Sequence, residues 1–190
     1  MAKSSFIGGN QGNRAEYDFY PTPPYAVQEL LARETFNGNI WECACGDGSV
    51  SEVLKQNGYD VISSDIIDRG YGEYRSLDFL DDKATQGMTC DNIITNPPFK
   101  IARQFVEKSL LVARKKVAII QRLAFMESKE RYELFTTTPL KTVYVFSKRL
   151  SMYATGVVDK TKSGMLAFAW YVWDKDYTGR PCLKWILSSD

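Results

Sequence analysis

One tetrapeptide, Asn96-Pro97-Pro98-Phe99, carries side chains with clear chemical potential and directly follows the apolar stretch 91–95. Its prolines lack N–H groups and fix φ, so a strand has to end there and the backbone stiffens. Asn96 then projects an amide oxygen close to carbonyl oxygens, and Phe99 adds a flat aromatic face. Two rigid acceptors beside an aromatic face suit a planar ring that carries an exocyclic amino group. The alternative is a plain strand-ending turn with Phe99 in the core, because short motifs recur by chance.

The composition removes several kinds of chemistry. The 190 residues include no histidine, which excludes Ser-His-Asp and Cys-His catalysis and most zinc sites. The cysteines have neither a metal-binding nor a disulfide-scaffold spacing, so we expect no metal; they are Cys43, Cys45, Cys90 and Cys182. Catalysis must therefore use positioning, or carboxylate, lysine, tyrosine or amide groups.

The overall totals are those of an ordinary globular chain, with 44% hydrophobic residues, 25% charged residues and a net charge of +1. We find no apolar run of bilayer length and no signal-peptide hydrophobic region, so we expect a cytoplasmic protein without a membrane partner. Residues 1–17 predict a flexible N-terminal segment, and residues 18–190 a single domain.

A glycine-rich turn follows the first predicted strand, residues 40–45. Gly46 and Gly48 would let the backbone approach a ligand, and the next helix would direct its first N–H groups at an anionic part of it. Strand 59–65 ends on Asp65, and an acid in that place can accept hydrogen bonds from both ribose hydroxyls. A helix cap or a loop acid is the alternative for this residue.

The other elements complete an open sheet. The patterns predict strands over 72–77, 90–95, 115–121, 141–147, 165–173 and 182–187, and helices over 25–33, 50–57, 101–113 and 123–137. Strands alternating with helices, then two strands in succession, indicate an α/β protein with a mostly parallel sheet and an antiparallel last pair. Ligand-binding loops of such sheets gather at the carboxyl ends of the strands. We therefore expect the loop 42–48, Asp65, Asp78 and Asn96 to meet at one edge.

Three segments resemble the S-adenosylmethionine-dependent amino-methyltransferases, above all the small phage-type N6-adenine DNA methyltransferases. They are Tyr20-Pro21-Thr22-Pro23, the acid and glycines of loop 42–48, and the tetrapeptide 96–99, in the order of the γ-type enzymes. The likeness spans roughly residues 18–173. It implies a Rossmann-like methyltransferase fold: an open, mostly parallel seven-stranded sheet with an antiparallel last strand, helices on both faces, and no separate target-recognition domain.

The resemblance implies S-adenosylmethionine as the cofactor. In the family, the acid at Glu42 faces the cofactor's ammonium group, and a pair such as Asp78 and Phe79 brackets its adenine. For Asp78, a helix cap before residues 81–83 is an equal alternative. The implied cofactor-binding residues are Tyr20, Pro21, Thr22, Glu42, Cys43, Ala44, Gly46, Gly48, Asp65, Ile66, Asp78, Phe79 and Asn96.

The implied reaction moves a methyl group to the N6 amine of adenine in DNA. The Asn96 oxygen and the Pro97 carbonyl would accept both amine hydrogens, and Phe99 would stack on the target ring. No general base is needed before transfer, which suits a chain without histidine. The implied catalytic residues are Asn96, Pro97, Pro98 and Phe99.

A base inside a duplex cannot reach such a pocket, so a DNA substrate would be single-stranded or would present a flipped base. Lysines and arginines near the active edge, and in residues 141–162, could hold the phosphate backbone. The implied substrate-binding residues are Phe99, Lys100, Arg122, Arg149 and Tyr153, with Arg103 and Lys141 among the further cations.

Three other functions compete with this one. The same chemistry could act on RNA adenine or on a protein glutamine amide, which also accept methyl groups in related enzymes. The chain could instead be an inactive cofactor-binding module that occupies DNA. A nicotinamide-dependent oxidoreductase is disfavoured, because Val50-Ser51 stand where its fingerprint requires a third glycine.

Overall fold

The computed structural model describes residues 19–150, 152 and 166–187. The α-helices are α1 (Pro24–Leu31), α2 (Ser49–Gln56), α3 (Ala102–Val112) and α4 (Lys129–Thr137). The strands are β1 (Ile40–Glu42), β2 (Val61–Asp65), β3 (Tyr74–Arg75), β4 (Cys90–Thr95), β5 (Ala113–Arg122), β6 (Leu140–Phe146), β7 (Phe168–Asp174) and β8 (Cys182–Ile186). None of these helices is long and apolar enough to cross a membrane. The predicted segment 1–17 lies outside the described residues, so the domain boundaries stay predictions.

The strands form one open sheet in the order β3-β2-β1-β4-β5-β7-β6-β8. β7 runs antiparallel to both of its neighbours, and the other pairs are parallel. The predicted α/β class and mostly parallel sheet are confirmed. The sheet has eight strands, one more than the seven that the resemblance implied, because the strand that the pattern predicted over 182–187 forms and pairs with β6. The antiparallel strand is therefore inside the sheet, between β5 and β6, and not at its end.

Each face of the sheet carries its own hydrophobic core. Residues of α1 and α2 pack on one face, and residues of α3 and α4 pack on the other. Strand β5 serves both cores, because its side chains alternate: Ala118 and Ile120 point to the first core, and Val117 and Ile119 to the second. Burial on both faces explains why this strand has a continuous apolar sequence.

Two predicted elements differ in extent from the observed ones. The third strand is reduced from residues 72–77 to Tyr74–Arg75. The predicted helix 123–137 is interrupted: a 3-10 turn covers Leu123–Met126, and α4 starts only at Lys129. Between them Ser128 adopts a φ of 125°, and its hydroxyl oxygen accepts a hydrogen bond from the Arg131 N–H at 3.3 Å. Ser128 therefore acts as a helix N-cap inside the apolar pattern that had suggested one continuous helix.

The amino-terminal edge of the sheet is held by a buried ionic network. Glu34, which is only 6% exposed, accepts hydrogen bonds from the Lys116 ammonium at 2.7 Å and the Tyr144 hydroxyl at 2.8 Å. Lys141 lies in the same network and pairs with Asp174 at 3.0 Å. Lys141 is thus paired with carboxylates at the edge opposite to Asn96, and its contact with a phosphate backbone stays a prediction.

Candidate active site

A cavity of about 400 Å³ lies at the carboxyl ends of β1, β2 and β4. Its walls contain most of the residues that the sequence assigned to the cofactor. These are Tyr20, Pro21, Thr22, Glu42, Cys43, Ala44, Gly46, Asp65, Ile66, Asp78, Phe79 and Asn96, joined by Pro98 and Lys100. The structure thus brings together segments that lie up to about eighty residues apart in the chain.

Asn96 has a defined orientation at the end of β4. Its side-chain nitrogen donates to the Tyr20 carbonyl at 3.0 Å and to the Thr22 hydroxyl at 3.1 Å. Its side-chain oxygen is buried and has no hydrogen-bond partner among the residues that the structure describes. Because both donors of the amide are engaged, the oxygen is left as an unused acceptor on a residue that lines the cavity.

The Pro97 carbonyl accepts a hydrogen bond from the side-chain nitrogen of Gln121 at 3.1 Å. Gln121 lies on β5 and is 1% exposed. A carbonyl oxygen has two lone pairs, so this bond leaves one acceptor position on Pro97. Pro97 itself does not line the cavity of about 400 Å³, whereas Pro98 does.

Phe99 packs among aromatic and cationic groups. Its ring stacks on Tyr20 with centroids 5.8 Å apart, and it contacts Phe168 at 5.8 Å. The Arg122 guanidinium carbon lies 4.4 Å from the centre of the Phe99 ring. A target ring that stacks on Phe99 would therefore have to share or displace these neighbours.

The glycine turn is fixed by Asp65. Its carboxylate accepts the Gly46 N–H and the Ile67 N–H, both at 2.8 Å. Gly46 has a φ of 56°, and an added Cβ would lie 2.3 Å from the Phe19 ring. The Phe19 ring thus occupies the space that a side chain at position 46 would need.

Gly48 does not line the cavity, and its assignment to the cofactor stays a prediction. It precedes α2 with a φ of 88°, and a Cβ there would meet the Tyr71 ring at 2.5 Å. Because Gly48 has no side chain, the Tyr71 ring can lie against its backbone. The Tyr71 hydroxyl donates a hydrogen bond to Glu52 at 2.6 Å.

Glu42 is a buried acid in the cavity wall, 1% exposed. The Ser51 hydroxyl donates to its carboxyl, and Ser51 also contacts the Ser63 hydroxyl at 2.7 Å. Burial raises the pKa of Glu42 well above its ordinary value; the hydrogen bond from Ser51 opposes this, and the negative charges of Asp65 and Asp47 add to it. A cation bound beside Glu42 would stabilise its ionised form.

The thiols near the cavity remain protonated. Burial raises the pKa of Cys43 well above its ordinary value, and burial with the nearby Glu42 and Asp65 charges raises the pKa of Cys45 to about 12. Neutral thiols are poor nucleophiles and poor metal ligands. Across residues 19–150, 152 and 166–187, no group of three or more acidic or cysteine side chains is arranged to hold a metal ion.

Asp78 and Phe79 lie side by side at the cavity. The Asp78 carboxylate accepts the Leu80 N–H at 2.9 Å and closes a turn. The helix-cap interpretation of Asp78 is wrong, because no helix forms between this residue and β4. Phe79 is 1% exposed and packs edge-to-face on Trp41, with ring centroids 5.3 Å apart.

The residues assigned to the substrate are spread more widely. Lys100 lines both the first cavity and a second one of about 510 Å³, which also contains Phe99, Arg103 and Arg131. Arg103 forms an ion pair with Glu107 at 2.8 Å. Arg149 is exposed and lines neither cavity. Tyr153 lies outside the described residues, so its role stays a prediction.

Several contributors escaped the sequence analysis, among them Phe19, Arg69 and Gln121. The Arg69 guanidinium lies over the Phe19 ring at 4.2 Å, and both side chains line the cavity. The Arg69 Nε is buried and lacks a partner within the described part of the chain. A local signal existed for Phe19, an aromatic residue next to the proline segment, but none for Arg69 or Gln121.

No protein-family model and no curated protein sequence matches this chain. Solved structures do match. A proposed RNA methyltransferase, PH1948 from Pyrococcus horikoshii, superposes with a TM-score of 0.62 at 16% identity, over 84% of this chain and 87% of that chain. A modification subunit of a proposed type I restriction enzyme from Vibrio vulnificus YJ016 gives a TM-score of 0.59 at 14% identity, over 95% of this chain and 49% of that chain.

A third match is magnesium protoporphyrin IX methyltransferase (ChlM) from Synechocystis PCC 6803, solved with bound SAM. It has a TM-score of 0.53 at 14% identity and covers 80% of this chain and 77% of that chain. These structures share an architecture across different substrates. They establish a Rossmann-like methyltransferase fold for this chain, and the substrate has to be argued from the site.

Proposed function

We propose that this protein transfers a methyl group from S-adenosylmethionine to the N6 amine of adenine in DNA. The observation that carries the proposal is the buried, unpartnered side-chain oxygen of Asn96; the next residue, Pro97, has a carbonyl that accepts one hydrogen bond, from Gln121, and keeps a second lone pair. An exocyclic amine has two hydrogens to donate, which matches these two acceptors.

The cavity suits the cofactor. Its volume of about 400 Å³ lies within the range for small-molecule sites. Glu42 offers a buried acid for the ammonium group, Asp65 has further lone pairs for ribose hydroxyls, and Phe79 gives an apolar surface for the adenine. When bound, the cofactor supplies an electrophilic methyl group on a sulfonium. ChlM, with the same fold, was solved with this cofactor bound.

The acceptors act on the nucleophile. The lone pair of an adenine N6 is delocalised into the ring, so the nitrogen attacks poorly as it stands. Hydrogen bonds from both of its hydrogens, to Asn96 and Pro97, favour a tetrahedral nitrogen with its lone pair free. The same oxygens stabilise the positive charge that develops on this nitrogen during transfer. Fixed acceptors and alignment replace a general base before transfer, consistent with the absence of histidine, and the methylated nitrogen then releases its surplus proton to water.

DNA is the proposed substrate for two reasons. Lys100 and Arg122 place positive charge close to Phe99, where a phosphate backbone would pass beside a flipped base. The Vibrio vulnificus match is a modification subunit of a proposed restriction enzyme, and 95% of this chain superposes on it. RNA adenine is the second candidate, supported by the match to a proposed RNA methyltransferase over 87% of that chain.

The test is transfer of a radiolabelled methyl group to unmethylated duplex DNA, single-stranded DNA, RNA and protein, followed by nucleoside analysis. We expect N6-methyladenine in DNA, at least about 100-fold reduced in Asn96→Ala because a transition-state contact is lost. Asn37→Ala, an exposed residue far from the cavity, is the matched control and should keep full activity.

Cofactor binding, measured by calorimetry, separates the alternatives. A labelled methyl group found only in RNA or only in protein would show that the same reaction acts on that substrate and not on DNA. Cofactor binding without label in any substrate would favour the inactive module. Full activity of Asn96→Ala would contradict the mechanism.

A further inference from the structure

The end of β5 lies directly beside the tetrapeptide. Strands β4 and β5 are parallel neighbours, with Thr95 opposite Ile119. Two residues further along each strand come Pro97 and Gln121, so continuing the register places them side by side. The Gln121 side chain bridges the gap and donates to the Pro97 carbonyl at 3.1 Å.

A polar glutamine side chain is unusual at this buried position of β5. Four apolar residues, 117–120, precede it in β5, and Gln121 itself is 1% exposed. Burying an amide is unfavourable unless it is hydrogen-bonded. An apolar residue would satisfy the packing, but it would leave the Pro97 carbonyl without this donor.

The prolines limit how the tetrapeptide can be anchored. Pro97 and Pro98 have no N–H groups, so neither can donate a sheet hydrogen bond, and only their carbonyl groups can take part in one. The carbonyl of Pro97 is then held from outside, by Gln121. Asn96 is held from the other side by Tyr20 and Thr22. The residues that carry the two acceptor oxygens, Asn96 and Pro97, are thus each fixed by hydrogen bonds with a different part of the fold.

We propose that Gln121 is a positioning residue that orients the Pro97 carbonyl toward the target amine. This inference rests on the proposed function. Gln121 occupies one lone pair of the carbonyl and leaves the other for the amine hydrogen. It touches no reacting atom, and its effect on the rate is transmitted through Pro97.

Two variants and a control test the proposal. Gln121→Met keeps the size of the side chain and removes the donor. We expect its single-turnover rate to fall roughly 10- to 100-fold, because the acceptor is misplaced, and its cofactor affinity to stay unchanged.

In Gln121→Glu the ionised carboxyl repels the Pro97 carbonyl, whereas the protonated carboxyl can donate a hydrogen bond to it. Its rate should therefore recover as the pH falls through the pKa of the introduced group, which burial would raise. Gln28→Glu makes the same change at an exposed position of α1 and should follow the wild-type pH profile.

A second readout needs no turnover. In protein labelled with ¹⁵N-glutamine, the Gln121 side-chain resonance, assigned by its loss in Gln121→Met, should be protected from solvent exchange, unlike that of Gln28. Rapid exchange at Gln121 would overturn the hydrogen bond itself.

The outcomes separate the two proposals. An active wild type, an inactive Asn96→Ala and a fully active Gln121→Met would overturn the role of Gln121 and leave the proposed function intact. A Gln121→Glu profile parallel to the wild type at an activity as low as that of Gln121→Met would reduce Gln121 to a packing role. A wild type that transfers no methyl group to any substrate overturns both proposals.

Discussion

The binding role that we propose for Glu42 comes with a cost to the stability of the fold. Its burial raises the pKa of the carboxyl in the folded protein, so the folded state holds the proton to a higher pH than the unfolded state does. Below the pKa that Glu42 has in the unfolded chain, the carboxyl is protonated in both states and its contribution to the stability of the fold is fully present. This contribution is lost as the pH rises through the pKa that Glu42 has in the folded protein. Without a cation beside it, this carboxyl therefore makes the folded state progressively less stable as the pH rises above the pKa that the group has in the unfolded chain.

We predict opposite effects of Glu42→Gln on stability and on binding. The variant cannot ionise, so its free energy of unfolding should exceed that of the wild type increasingly as the pH rises from 4 to 8, measured by urea denaturation without cofactor. Cofactor affinity should fall roughly 10- to 100-fold, the worth of a charge-assisted hydrogen bond, as measured by calorimetry. A variant that binds the cofactor like the wild type would contradict the contact with the ammonium group.

At the scale of elements, the cavity depends on the contact between the segment before α1 and the glycine turn. Phe19 covers Gly46 and is itself covered by Arg69. The same segment supplies the Tyr20 carbonyl and Thr22 hydroxyl that fix Asn96. Its displacement would therefore open the cavity and release the Asn96 side chain together.

We predict that Gly46→Ala disrupts this arrangement. The new Cβ would lie 2.3 Å from the Phe19 ring, and the left-handed φ of 56° adds strain of about 1–2 kcal/mol. Cofactor affinity should fall at least about tenfold, which calorimetry would measure. Gly87→Ala is the matched control, since its φ is 78° with nothing within 4 Å of the added Cβ. Equal loss of affinity in both variants would show that strain alone is responsible.

At the scale of the molecule, stability and function occupy opposite edges of one sheet. The Glu34 network joins the start of β5 and β6 to the end of β7, whereas the cavity lies at the other ends of the parallel strands. Changes in the network should therefore alter the free energy of unfolding and leave the cavity intact.

We predict that Glu34→Ala lowers the free energy of unfolding by about 3 kcal/mol, because it leaves the partly buried Lys116 ammonium without its closest carboxylate. Cofactor affinity should stay within about twofold of the wild type under conditions where the variant is folded. Glu29→Ala, which removes a more exposed ion pair with Arg33, should cost less than about 1 kcal/mol. Urea denaturation gives both values, and similar losses in the two variants would contradict the role of burial.

The sequence by itself determined the α/β class, the alternation of elements and the place of the tetrapeptide at a strand end. These features are local: the apolar period defines β5, and the prolines end β4 whatever surrounds them. The strand at 182–187 was predicted from its pattern, but the inner position of β7 was not, because pairing partners depend on chain reversals that local periodicity does not specify. The contact between Gly48 and Tyr71 could not be predicted either, since only the fold brings these two residues together.

The tertiary structure alone decided how the acceptors are held. The partners of Asn96 lie 74 and 76 residues away, and the donor to Pro97 comes from a neighbouring strand 24 residues on. A residue type limits which hydrogen bonds a side chain can make, but only the folded chain brings the second partner within reach. The sequence therefore named the acceptors, and the packing of β5 and the segment before α1 against β4 oriented them.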